Sequence, residues 1–132
     1  MFNWRRPTNL GVKDGRLAPC KRSPNCVSSQ ADAADREHYI APLAFRGTMS
    51  ELRAAVAAME RATVIAATGN YLYAEYRSRL LRYVDDVELF YDERAGLVHV
   101  RSASRLRRRD FGVNRKRVEA LRAILAASIR AR

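Results

Sequence analysis

The run from residue 86 to residue 103, DVELFYDERAGLVHVRSA, narrows the possible folds more than any other stretch. Two segments alternate apolar and polar side chains around a four-residue loop at 93–96, and a period of two is the mark of a strand. With that loop, Asp92 faces Leu97 and Glu88 faces Arg101. One face of the hairpin then carries Val87, Leu89, Tyr91, Val98 and Val100, and the other carries Asp86, Glu88, Phe90, His99 and Arg101. A slip of one residue would mix the two sets, so the pattern itself selects the register.

The flanking chain supplies what such a hairpin needs. Residues 71–78 alternate as well, with Leu72, Ala74 and Tyr76 opposite Tyr71, Tyr73, Glu75 and Arg77, and residues 63–67 form a short β-branched run before a Gly69-Asn70 turn. Residues 38–45 read as an extended segment whose Pro42 marks a sheet edge. Thr48 and Glu51 have the spacing of a capping box, and Leu52, Ala55, Val56 and Met59 then fall on one helical stripe. After a basic loop at 105–111, Gly112 frees the backbone and Asn114 is the expected N-cap of a second helix, with Val118, Leu121, Ile124, Leu125 and Ile129 as its stripe. Its first turn carries Arg115, Lys116 and Arg117, which oppose the helix dipole and would be eased by a bound anion. The expected fold class is α+β: an antiparallel sheet of about four to five strands with two helices packed on one face. The expected division is an irregular N-terminal segment at 1–38, packed on or flanking the domain, and a single α+β domain at 39–132.

Composition sets the outer bounds. A chain of 132 residues with 48% hydrophobic side chains can bury a core unaided, and its periodic patterns argue against disorder. No run of eighteen apolar residues is present, and the basic start lacks the apolar stretch of a secretion signal, so the expected location is cytoplasmic. The net charge of +11 is concentrated at the two ends: residues 1–26 hold six basic groups against Asp14, and residues 101–132 hold eleven against Asp110 and Glu119. That asymmetry suits a surface that meets something anionic; an arginine-rich solvated face is the plainer reading. Phe2 and Trp4 beside Arg5 and Arg6 are compatible with peripheral membrane contact, or with packing on the domain. Cys20 and Cys26 have neither redox-pair nor zinc-ribbon spacing; they read as a small disulfide loop over Pro24 if exported and as thiols in the cytosol.

Two polar constellations stand out. The first is the polar face of the sheet, with Tyr73, Glu75, Arg77, Asp86, Glu88, His99 and Arg101: either cross-strand ion pairs on a solvated face, or a floor where Arg77 and Arg101 hold an anion and Glu75 or Glu88 accepts a proton. The second is Ser102, Ser104, Arg105, Asn114 and Arg115 around the start of the last helix, the ingredients of a phosphate or carboxylate site or, more plainly, of turns and caps. Cys26 with His38 as base is a weak nucleophile pairing with no oxyanion element. His38 and His99 lack ligand spacing, which argues against a metal; no phosphate-loop or hydrolase signature is present, and no cofactor is implied. The sheet lacks the aromatic motifs of a nucleic-acid module and its polar face is as acidic as basic, which argues against nucleic acid.

The wording of CKRSPNCVSSQ, YLYAEYRSRLLRYVDDVELFYD and GLVHVRSASRLRRRDFGVNRKRVEALR resembles the family known as domain of unknown function 1499, from about Thr8 onward. The resemblance implies a bacterial protein with plastid relatives, some of them exported or membrane-attached, and brings no established reaction. This chain differs in having no evident signal or lipid attachment site and a more basic loop at 106–109.

The expected function is a non-enzymatic binding module for an anionic small molecule or surface, contacted by Arg77, Arg101, Arg105 and Arg115 with Ser102, Ser104 and Asn114 as orienting donors. The alternatives are a small hydrolase or transferase using Glu75 or Glu88, and a structural or assembly partner recognisable by a large exposed apolar patch.

Overall fold

A computed structural model of the chain describes residues 5–79, 83–106 and 109–130, with residues 129 and 130 described through their backbone alone. The expected contacts of Phe2 and Trp4, the side chain of Ile129 and residues 107 and 108 of the basic loop lie outside the described residues. The strands are β1 (Cys26–Ser28), β2 (Leu43–Ala44), β3 (Ala62–Thr68), β4 (Tyr71–Arg77), β5 (Val84–Asp92) and β6 (Leu97–Ser104); the helices are α1 (Met49–Ala57) and α2 (Val113–Arg130). They form an α+β fold whose antiparallel sheet has the order β1-β6-β5-β4-β3, with β2 also paired to β6.

The hairpin register is the expected one: Asp92 pairs with Leu97, Glu88 with Arg101 and Leu89 with Val100. Gly96 turns the loop at φ 67, where L side chains are strained, and a Cβ there would sit 2.7 Å from the Arg46 guanidinium carbon. The apolar hairpin face, with Leu72, Ala74 and Tyr76 of β4, packs against Leu52 and Val56 of α1 and Val118, Leu121 and Leu125 of α2. Ile124, expected on that buried stripe, is 39% exposed. The α1 capping box forms in both directions, Glu51 N donating to Thr48 Oγ1 at 3.1 Å and Thr48 N to Glu51 Oε1 at 2.9 Å.

Three expectations need correction. The segment 1–38 is not simply irregular, because β1 pairs along β6 at Cys26–Ala103, Val27–Ser102 and Ser28–Arg101. A strand of three residues is too short to show alternation, which is why β1 left no periodic signal and the sheet has more strands than expected. Second, Asn114 lies inside α2 rather than capping it. Asp110 takes the capping work: its carboxylate accepts from the N–H groups of Gly112 at 2.8 Å and Asn114 at 3.2 Å. That negative charge also answers the first-turn conflict, and Arg115 is occupied by the carbonyls of Tyr39 at 2.9 Å and of Arg36 and Glu37.

The third correction bears most on function. The polar face of the sheet is not open, because the N-terminal segment lies across it. Arg6 Nε donates to Glu75 Oε2 at 2.7 Å, Gly11 N to Glu88 Oε2 at 2.7 Å, and Arg101 Nη2 to the Pro19 carbonyl at 3.4 Å. Glu75, Asp86, Glu88 and Arg101 are all buried. A disulfide between Cys20 and Cys26 ties the segment to the edge strand β1.

Candidate functional site

Alternation along β4, β5 and β6 sends Tyr73, Glu75, Asp86, Glu88 and Arg101 to the face away from the helices, and Arg105 follows just past the end of β6. Burial forces these charges to pair, since an ionised group without a partner in such a place is expensive. Arg105 donates through Nε to Asp86 Oδ2 at 2.9 Å and through Nη2 to Asp86 Oδ1 at 2.8 Å, and it also reaches Glu75. The Tyr73 hydroxyl sits between Glu75 and Asp86 with one proton for both, and the Tyr71 hydroxyl donates to Glu88 at 2.6 Å.

The ionisation states follow. Burial pushes the Glu75 carboxyl up, but the bonds from Arg6, Tyr73 and Arg105 outweigh it and hold it down at about 2. Burial, then the bond to Asp86, raises Tyr73, and burial with Glu88 raises Tyr71; both stay neutral donors. Arg105 is raised, first by its bond to Asp86. Arg101 is pulled down by burial, against the pull of Glu88.

Beside this network a cleft of about 700 Å³ opens between the N-terminal segment and the end of β6. Arg5, Lys21, Arg101 and Arg105 line it against the single carboxylate Asp86, with Thr8, Asn9, Asn25 and Ser104 as neutral polar groups. Asp86 is already gripped by the Arg105 fork, so the cleft has a positive excess. Arg101 is 6% exposed, and its Nε has no hydrogen-bond partner among the described residues. Its Nη1 stands 4.0 Å from Glu88 Oε1, which is likewise buried and without a partner. Buried polar groups are almost always paired, so this orphaned donor in a residue of the cleft wall is an exception, although Nε itself is closed to solvent.

The structure brings Arg101, Ser104 and Arg105 to this cleft and sends the other expected contacts elsewhere. Arg77 is 3.7 Å from Glu75 and lines a different groove. Ser102 and Asn114 have no exposed surface. Asn114 Oδ1 accepts from Ser102 Oγ at 2.6 Å, and its Nδ2 donates to Asp110 at 2.8 Å, Ser104 Oγ at 2.9 Å and the Asn25 carbonyl at 3.2 Å. These two residues fasten α2 to the sheet with every group used. His99 Nδ1 meets Ser29 Oγ at 3.1 Å, and burial lowers its pKa. Arg5 and Lys21 were not among the expected contacts; the basic excess of residues 1–26 was the signal for Lys21, and Arg5 stood out only beside Phe2, Trp4 and Arg6.

Catalytic alternatives fare as follows. Cys26 is in the disulfide and offers no thiolate. His38 faces acceptors on both sides, Asp35 Oδ2 at 2.8 Å and the Ser23 carbonyl at 3.0 Å. Burial opposes its charge, but the Ser23 carbonyl and Asp35 prevail and raise its pKa, so it is not placed to act as the base expected of it. No cluster of metal-ligating side chains occurs among the described residues.

A family model described as a protein of unknown function (DUF1499) matches residues 16–125. The chain belongs to that family. The matched region of this DUF1499 protein spans β1 through most of α2 and includes Lys21, Arg101 and Arg105, but stops short of Arg5. No curated protein and no solved structure matches the chain. No helix among the described residues is long and apolar enough to cross a membrane.

Proposed function

We propose that this DUF1499 protein is a non-enzymatic binding module for a small anion, held in the cleft between the N-terminal segment and the end of β6. The observation that carries the reading is Arg101: a buried guanidinium in the cleft wall with an unpartnered Nε. Nε itself is closed to solvent, so an incoming phosphate or carboxylate would meet the charge of this guanidinium from the cleft side, and its positive charge is what favours an anion there. Arg105 sets the positive floor, Arg5 and Lys21 close the rim, and Ser104 and Asn25 are the neutral groups that orient the ligand. A concave site of about 700 Å³ suits a small molecule better than a flat anionic surface.

A hydrolytic reading has less support. Glu75 is held too acidic to carry a proton near neutral pH, and Glu88 is fully buried beneath Gly11 and Tyr71 rather than lining the cleft. The Cys20–Cys26 disulfide favours an oxidising compartment, and so an exported protein, over the cytoplasm.

The test is calorimetric titration with inorganic phosphate and a simple phosphomonoester at low and moderate salt. Saturable binding is expected, weakening with salt, and reduced in Lys21→Glu and Arg101→Lys with the melting temperature of Lys21→Glu unchanged. Equal affinity in both variants and the parent would overturn the reading. Binding to anionic vesicles that phosphate cannot displace would move it to a surface.

A further inference from the structure

A second groove, of about 560 Å³, shares no lining residue with the cleft. Its walls are Met59–Arg61 after α1, Tyr76 and Arg77 at the end of β4 with Ser78 and Arg79 beyond it, and the α2 face of Val113, Lys116, Arg117, Ala120 and Ile124. The helical positions follow a spacing of three and four, so they form one continuous face.

The floor is apolar. The Tyr76 ring is buried, its hydroxyl points to Met59 Sδ at 3.1 Å, and the Arg117 guanidinium lies over the ring at 4.7 Å. Arg117 is a wall rather than a free cation, because it pairs with Asp85 at 2.9 Å. Ile124 leaves 39% of its surface exposed along the groove, beside the exposed Lys116 and Ala120 of the same helix.

The rim is cationic. Arg61, Arg77, Arg79 and Lys116 line it, and the one carboxylate among the described lining residues, Glu60, is 85% exposed and 3.4 Å from Arg61. Arg79 and Lys116 have no carboxylate partner among the described residues. The backbone also holds Arg61 at φ 57, a left-handed position where glycine or asparagine is the cheap choice. A strained arginine at the mouth of an apolar groove is a feature to explain by what it contacts.

We infer that this groove binds a single-chain anionic amphiphile, with its alkyl chain against Tyr76, Val113, Ala120 and Ile124 and its headgroup among Arg61, Arg77, Arg79 and Lys116. The charge of the rim selects an anion, and the apolar floor selects a chain over a compact ion such as phosphate. The volume lies within the range of small-molecule sites.

The test is titration of the full chain with dodecanoate, butanoate and neutral dodecyl maltoside, each below its critical micelle concentration. Dodecanoate is expected to saturate, with butanoate and the neutral detergent each at least about tenfold weaker. Arg61→Gly should lose several-fold in dodecanoate affinity while the melting temperature holds or rises, because glycine relieves the backbone; Ile124→Asp should weaken binding through the chain. Affinity independent of chain length, or unchanged in both variants, would overturn the inference. Lys21→Glu should leave dodecanoate binding intact, so failure at one site is distinguishable from failure at the other.

Discussion

Arg105 grips both oxygens of Asp86, Nε to Oδ2 at 2.9 Å and Nη2 to Oδ1 at 2.8 Å, across the end of the β5–β6 ladder. Both side chains are buried, at 7% and 2% exposure, and Glu75 shares the same guanidinium. Removing the cation takes the guanidinium fork from Asp86 and one of several partners from Glu75, which keeps Arg6 and Tyr73. Arg105→Ala is expected to cost about 3–5 kcal/mol in urea unfolding. Arg105→Lys should recover only part of that, because a point charge cannot serve both oxygens of Asp86 in fork geometry. A loss under about 1 kcal/mol for the alanine variant would place the pair in effective contact with water.

Acid stability should report on Glu75. Its folded pKa, about 2, lies below the ordinary 4.5, so the unfolded chain takes up the proton first. The contribution is therefore fully present above about 4.5 and is lost as pH falls toward 2. Glu75→Gln should flatten the stability profile in that window. His38 has the opposite sign: its pKa is raised, so its contribution is complete below 6.5 and fades as pH rises through the folded value. His38→Gln should remove that alkaline decline.

The disulfide can be tested for stability and binding together. Unreduced, denatured protein should titrate no thiol, since both cysteines are paired. Its loop carries Lys21, Ser23 and Asn25, all of them in the cleft wall. Cys20→Ser with Cys26→Ser should lower stability by about 2 kcal/mol, the size expected for a short loop. Phosphate affinity should fall as well, and a stability loss with unchanged affinity would show that the wall holds its shape without the bridge.

The start of α1 offers a local test. Thr48→Ala removes the hydroxyl that accepts from Glu51 N and should cost about 0.5–2 kcal/mol by thermal or urea unfolding. Glu51→Ala should cost less, because the capping hydroxyl survives it and the residue is exposed.

Features with a short-range physical cause were legible in the chain. The α1 capping box needs only residues three apart. The hairpin register needs only a four-residue loop and alternation, and β4 obeys the same parity, so the buried set of Leu72, Ala74, Val87, Leu89, Val98 and Val100 could be named in advance. Asn114 shows where that legibility ends. The cap position suggested by its type is correct to within one turn, but its partners include the Asn25 carbonyl, eighty-nine residues away, and a bond that distant leaves no periodic trace.

The polar face makes the same division at larger scale. Alternation by itself determined that Glu75, Asp86, Glu88 and Arg101 share one side of the sheet, because a strand turns successive side chains to opposite faces. Only the tertiary structure decided that this side is covered. The cover is a segment without periodicity, joined through Arg6 to Glu75, Gly11 to Glu88 and Cys20 to Cys26. Single long-range bonds between a loop and a sheet depend on where the whole chain passes, and that path turned an open salt-bridged face into a buried network with a cationic cleft at its edge.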